Sequence, residues 1–197
     1  MFQIKDMNFD IEFAYLDAYI DEDEKIINFG LQIRGVKNNK IFDGNNPHFS
    51  SEILLKIKKN KINKWQDIAG KIIEWKDSPE DEEEPHALFY VFEHEEVYNA
   101  RIEFKKINNR IMVDIEALCD VGWDKKYYDN LPLKIETEID FFGIMCGKDT
   151  TEEECKKAIK PYLDISNLKY VQNKYGVSIM IPIDSNIEKN LLVLGEY

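Results

Sequence analysis

This chain is poor in cysteine and short of positive charge. Its three thiols, Cys119, Cys146 and Cys155, are odd in number and lack paired zinc-ligand spacing. That excludes a disulfide framework and a zinc finger, and reads as reduced, buried or incidental side chains. Apolar runs are short, none approaching the roughly 20 residues that a helix needs to cross a bilayer. The stretch Met1-Phe2-Gln3-Ile4-Lys5-Asp6 carries no apolar block of the secretory kind, so a cytoplasmic protein without a membrane partner is expected. Basic side chains number 26 against 38 acidic ones, a net charge of −12. Such a balance repels polyanions and argues against general nucleic-acid binding, although a local basic patch at 56–61 stays open. It either favours encounter with a basic protein or serves solubility alone.

Motifs of catalysis are missing as well. The chain contains no Walker loop, dinucleotide-binding glycine fingerprint, HExxH pair or serine nucleophile elbow. No recognisable histidine-bearing motif accompanies the cysteines, and no cofactor is expected. Unrelated loops can still assemble an active site, so a metal-assisted or carboxylate-based hydrolase stands as an alternative to a binding protein.

What is present is alternation. Phe9, Ile11, Phe13 and Tyr15 recur with period two, as do Ile27, Phe29, Leu31 and Ile33, with the acidic run Asp21-Glu22-Asp23-Glu24 as the hairpin connection between them. A third run sets Ile53, Leu55 and Ile57 on one face. Residues 65–70 read as a short helical turn closed by Gly70, and 71–75 as a strand with Ile73 and Trp75 on one face. The organising stretch is 86–144. In it, His86, Leu88, Tyr90, Phe92 and His94 share one face of an expected single strand; Ile102 and Phe104 follow on a second. Asn108-Asn109 supplies a turn, and Ile111, Val113 and Ile115 alternate on a third strand, with Leu133, Ile135, Thr137 and Ile139 on a fourth.

After that block, Thr150 with Glu153 fits a capping box opening a helix of about three turns, with Cys155, Ala158, Ile159 and Tyr162 inward and Pro161 near its end. A hairpin is expected at 168–172 and 177–181, with Pro182 making the second strand terminal or peripheral. The tail at 186–194 reads as either a short helix or a last strand. The expectation is a β-rich α+β fold, a mainly antiparallel sheet or sandwich with one to three peripheral helices, in a single domain over 1–197.

Few residues gather into candidate chemistry. His86 and His94 on one straight strand would lie roughly 26 Å apart, too far for one metal ion. A site at His94 would need a bend and ligands such as Asp114 or Glu116, and Asp114, Glu116, Asp120 and Asp124 could pair as carboxylates. Cys119-Asp120-Val121-Gly122-Trp123-Asp124 either shapes a pocket or turns the chain while Trp123 enters the core.

Residues 65–70, Ile73-Glu74-Trp75, the acidic proline-bounded loop at 77–85, Phe89-Tyr90-Val91-Phe92-Glu93-His94-Glu95 and Asp120-Val121-Gly122-Trp123-Asp124 together resemble bacterial immunity proteins of polymorphic toxin systems. The likeness covers 65–144 and identifies no particular family. It implies a small cytoplasmic inhibitor that occludes a cognate toxin by direct binding, and it carries no individual inhibitory residue across. On physical grounds, Asp81, Glu82, Glu83 and Glu84 are the expected contacts to a basic toxin surface, with Trp123, Tyr127 and Tyr128 as nearby anchors. A β-rich structural or assembly-binding protein without catalysis is the other reading.

Overall fold

A computed structural model describes residues 1–76, 85–121 and 129–184. The period-two runs form strands, in chain order β1 (Phe2–Ile4), β2 (Met7–Phe9), β3 (Ile11–Asp21), β4 (Ile26–Gly35), β5 (His48–Lys58), β6 (Ile72–Trp75), β7 (Leu88–Tyr90), β8 (His94–Ile107), β9 (Arg110–Cys119) and β10 (Leu131–Lys148). The helix α1 (Glu152–Ile159) precedes β11 (Leu168–Gln172) and β12 (Val177–Pro182), and 3-10 turns lie at Phe42–Gly44 and Trp65–Ile68.

Pairing runs from β10 through β3, β4, β5, β7 and β8 to β9, which pairs back onto β10. Seven strands thus close into a barrel, a more specific outcome than the expected sheet or sandwich. Strands β1 and β2 join on β10, β6 on β8, and β12 with β11 on β10. Closure gives each of the seven ring strands a pairing neighbour on both sides, although the three-residue β7 covers only His48–Ser50 of β5.

The chain divides into two compact units. The first comprises Met1–Tyr15, Gly30–Leu54 and Ile68–Asp140. Its core holds Phe2, Ile4, Phe49, Phe89, Ile102, Phe104, Val113, Ile115 and Leu133, all fully buried. Phe2 meets Phe9 and Phe89 edge-on, and Phe9 stacks on Phe42 at 5.7 Å, geometries that suit ring quadrupoles. Asn108 and Asn109 both adopt positive φ (49° and 66°), the backbone of a two-residue hairpin turn, and set Ile107 opposite Arg110.

The second unit comprises Leu16–Phe29, Leu55–Asp67 and Phe141–Tyr197. Leu16, Ile27, Phe29, Ile144, Cys155, Ile159 and Ile179 are buried in it, and Trp65 stacks on Phe141 at 5.3 Å. Gly143 has φ +145°, and a Cβ there would lie 2.6 Å from the Met180 carbonyl oxygen, so only glycine lets β10 approach β12 at this point.

Several expectations are corrected. Residues 86–94 are not one strand: the chain bends at 91–93 and returns, pairing Tyr90 with His94 and Leu88 with Glu96. On β5 the buried residues are Phe49, Ser51, Leu54 and Ile57, which do not keep to one period-two face, and Ile53 and Leu55 are only half-buried. The helix is N-capped by Thr151, not Thr150. Thr151 and Glu154 complete the capping box one residue later, and α1 spans eight residues, about two turns. Pro182 does end its strand, but β12 lies between β11 and β10, so β11 is the outer strand of that hairpin.

Candidate functional site

Strand alternation creates the most distinctive side-chain grouping. His48 on β5 pairs with Tyr90 on β7, which pairs with His94 on β8, while one residue along Phe49 pairs with Phe89. Phe49 and Phe89 are fully buried, so the pleat turns His48, Tyr90 and His94 to the opposite, outer face. The Tyr90 and His94 rings lie 4.9 Å apart, and both residues are exposed. Phe13 meets His48 edge-on at 6.0 Å and stacks on Tyr15 at 5.3 Å, extending the aromatic strip onto β3. At the same end, Arg34 Nε pairs with Glu12 Oε2 at 3.4 Å, and Asn46 Nδ2 donates to that carboxylate and to the Gly35 carbonyl.

Protonation within the strip is uneven. Burial, followed by the positive charge of Arg34 and by His94, lowers the His48 pKa to about 4. The ring is therefore neutral at pH 7, with its Nε2 buried and unpartnered. A neutral imidazole whose Nε2 is buried away from solvent is poorly placed as a general base. Glu93 and Glu96 are exposed beside His94, and Glu96 shares its face, so the open end of the strip is aromatic and acidic.

A second outer face carries a network of ion pairs. Across β8, β9 and β10, Arg101 pairs with Glu103 and Glu74, Lys105 with Asp114 at 2.8 Å, Lys134 with Glu116 at 3.3 Å and Arg110 with Glu138 at 2.8 Å. The carboxylates of Glu74, Glu103, Asp114, Glu116 and Glu138 are engaged in these pairs; hydrogen bonding from Arg101 holds Glu103 below the usual carboxylate range.

Asp114 and Glu116 are thus bound by lysines rather than assembled around His94. Asp120 accepts hydrogen bonds from the Tyr98 hydroxyl and the Asn130 backbone N–H, both at 2.7 Å. His86 packs against Trp75 at 5.4 Å, away from the strip's defined pairs. Among the described residues no three His, Cys, Asp or Glu side chains converge as a metal ion requires. Cys119 is buried, its thiol donating to the Leu131 carbonyl, and burial pushes its pKa up. Asp81, Glu82, Glu83, Glu84, Trp123, Asp124, Tyr127 and Tyr128 lie outside the described residues.

An open cavity of 590 Å³ lies elsewhere in the first unit, lined by Asn8, Asp10, Lys37, Asn38, Asn39 and Lys40 among others. Its polar groups carry both charge signs and single out no ligand. His48 is the site residue that sequence reasoning passed over. The available signal was its position one residue before the inward Phe49, at the start of a strand, which directs it to the outer face. Comparison of the chain with protein families, with characterised proteins and with solved structures returned no match.

Proposed function

We propose that this chain is a protein-binding inhibitor that occludes a basic surface of a cognate toxin, docking through the outer strip of β5, β7 and β8. The observation that carries this reading is the exposed Tyr90–His94 ring pair with Glu93 and Glu96 beside it. Aromatic side chains give large contact area at small entropic cost, and carboxylates around them steer a cationic partner and discriminate against others. The net charge of −12 adds long-range attraction. On the face of β8, β9 and β10, Lys105, Arg110 and Lys134 are each paired with a carboxylate of the same face, which favours the strip as the docking surface. Asp81, Glu82, Glu83 and Glu84, with Trp123, Tyr127 and Tyr128, belong to this proposal as further partner contacts.

The test is co-purification with the product of the adjacent gene, followed by rescue of growth when that product is expressed as a toxin. Stoichiometric capture with restored growth is expected. Absence of both binding and rescue overturns the reading.

A further inference from the structure

The lysine-rich stretch that begins at Lys56 has no part in the proposed binding role, and in the second unit it grows into a surface. Ile57 is buried near the end of β5, so Lys56 and Lys58 project together on the opposite side of the strand. Lys59, Lys61 and Lys64 follow in the loop, all exposed. That loop is tied to the segment after α1: the Asn60 N–H donates to the Pro161 carbonyl at 3.2 Å, and the Asn63 carbonyl accepts from the Asp164 N–H at 2.6 Å. The tie brings exposed Lys160 alongside, and Lys59 Nζ sits 5.3 Å from the centre of the buried Tyr162 ring. At the rim, Lys56 pairs with Glu24 at 3.6 Å. Among the described residues no carboxylate forms an ion pair with Lys58, Lys59, Lys61, Lys64 or Lys160. The carboxylates within these two segments, Asp67 and Asp164, accept instead from the Asn63 and Lys64 backbone N–H groups and from Ser166. In a chain of net charge −12 the sign is therefore reversed here.

We infer that this lysine surface of the second unit binds the phosphate backbone of double-stranded nucleic acid without reading its sequence. Lysine is a compact point charge, which suits a line of phosphates. The arginines Arg34, Arg101 and Arg110 all lie in the first unit, each paired with a glutamate, so the surface carries no bidentate fork for base edges or for the carboxylates of an acidic protein. It offers no exposed ring either. Tyr162 is buried and Trp65 is half-buried against Phe141, which removes the stacking platform that single strands need. None of the exposed large apolar residues falls within 55–64 or 157–164, so the surface has no apolar anchor for a bilayer. The interaction left to it is release of counterions from a duplex, which needs local positive charge alone. The acidic remainder of the molecule repels the same duplex, so affinity is modest and salt governs it.

The test titrates the full chain against fluorescently labelled DNA duplexes of about 20 base pairs, in two unrelated sequences, between about 50 and 200 mM salt. Expected is equal affinity for both sequences, with log K falling against log salt at a slope of about −4, a loss of more than about 100-fold over that range. Lys58→Gln/Lys61→Gln/Lys64→Gln should flatten the slope by about 3. Lys5→Gln/Lys37→Gln/Lys40→Gln removes the same charge from exposed positions of the first unit and should leave the slope as it was. Circular dichroism confirms that both variants keep the fold. Absence of duplex binding by the unaltered chain at the lowest salt overturns the inference, as does a slope that the first variant leaves unchanged or that the second flattens equally. Tighter binding to single-stranded DNA, to polyglutamate or to anionic phosphatidylserine vesicles than to the duplex overturns it too.

Discussion

His48 is held in a place where its charged form is unwelcome. Its pKa of about 4 lies below the ordinary histidine value of 6.5. Above 6.5 the ring is neutral in folded and unfolded chains alike and contributes no pH dependence. As the pH falls from 6.5 towards 4, the unfolded chain takes up the proton first, and folding stability declines by about 3 kcal/mol over the window. Chemical denaturation of the unaltered chain and of His48→Gln at pH 7 and pH 4.5 checks this. The unaltered chain should lose more stability on acidification than the variant does, and equal losses would count against the enclosed, neutral ring. The outer placement of His48 was open to reading from alternation with Phe49. Its enclosure was not, because Phe13 and Arg34 reach it from strands β3 and β4, whose register no local pattern specifies.

Among the elements, the clearest disagreement with the sequence reading concerns α1. Two threonines precede three glutamates, so Thr150 with Glu153 and Thr151 with Glu154 both satisfy the capping-box spacing. The tertiary structure decides between them by committing the Thr150 hydroxyl to the Cys146 carbonyl, which frees Thr151 to accept from the Glu154 N–H. Thr151→Ala should therefore destabilise the protein by about 1 kcal/mol, with Thr151→Ser recovering most of it, as read by thermal or urea unfolding. The hairpin at Asn108-Asn109 was legible because asparagine tolerates the left-handed backbone that such turns need. The bend at 91–93 was hidden for the opposite reason: Val91, Phe92 and Glu93 contain no glycine, proline or asparagine to mark it, so apolar residues on both faces resembled one buried strand.

At the scale of the whole molecule, periodicity identified strands but not the way they close. Hairpin neighbours such as β8 and β9 follow from local pattern, but ring closure depends on β10 also meeting β3, a contact between strands far apart in sequence. The acidic balance was plain from composition, yet only the ladders reveal which carboxylates lysine and arginine already engage and which flank exposed rings. The central claim is that the Tyr90–His94 strip, and not charge alone, holds the partner. The most direct measurement is the association and dissociation kinetics of the captured partner with the unaltered chain, Tyr90→Ala/His94→Ala and Glu93→Gln/Glu96→Gln, at low and high salt. With the fold retained by circular dichroism, the aromatic pair variant should dissociate roughly 10-fold faster or more at nearly unchanged association rate, and the carboxylate variant should mainly associate more slowly at low salt. Unchanged dissociation in a folded Tyr90→Ala/His94→Ala protein would contradict the claim.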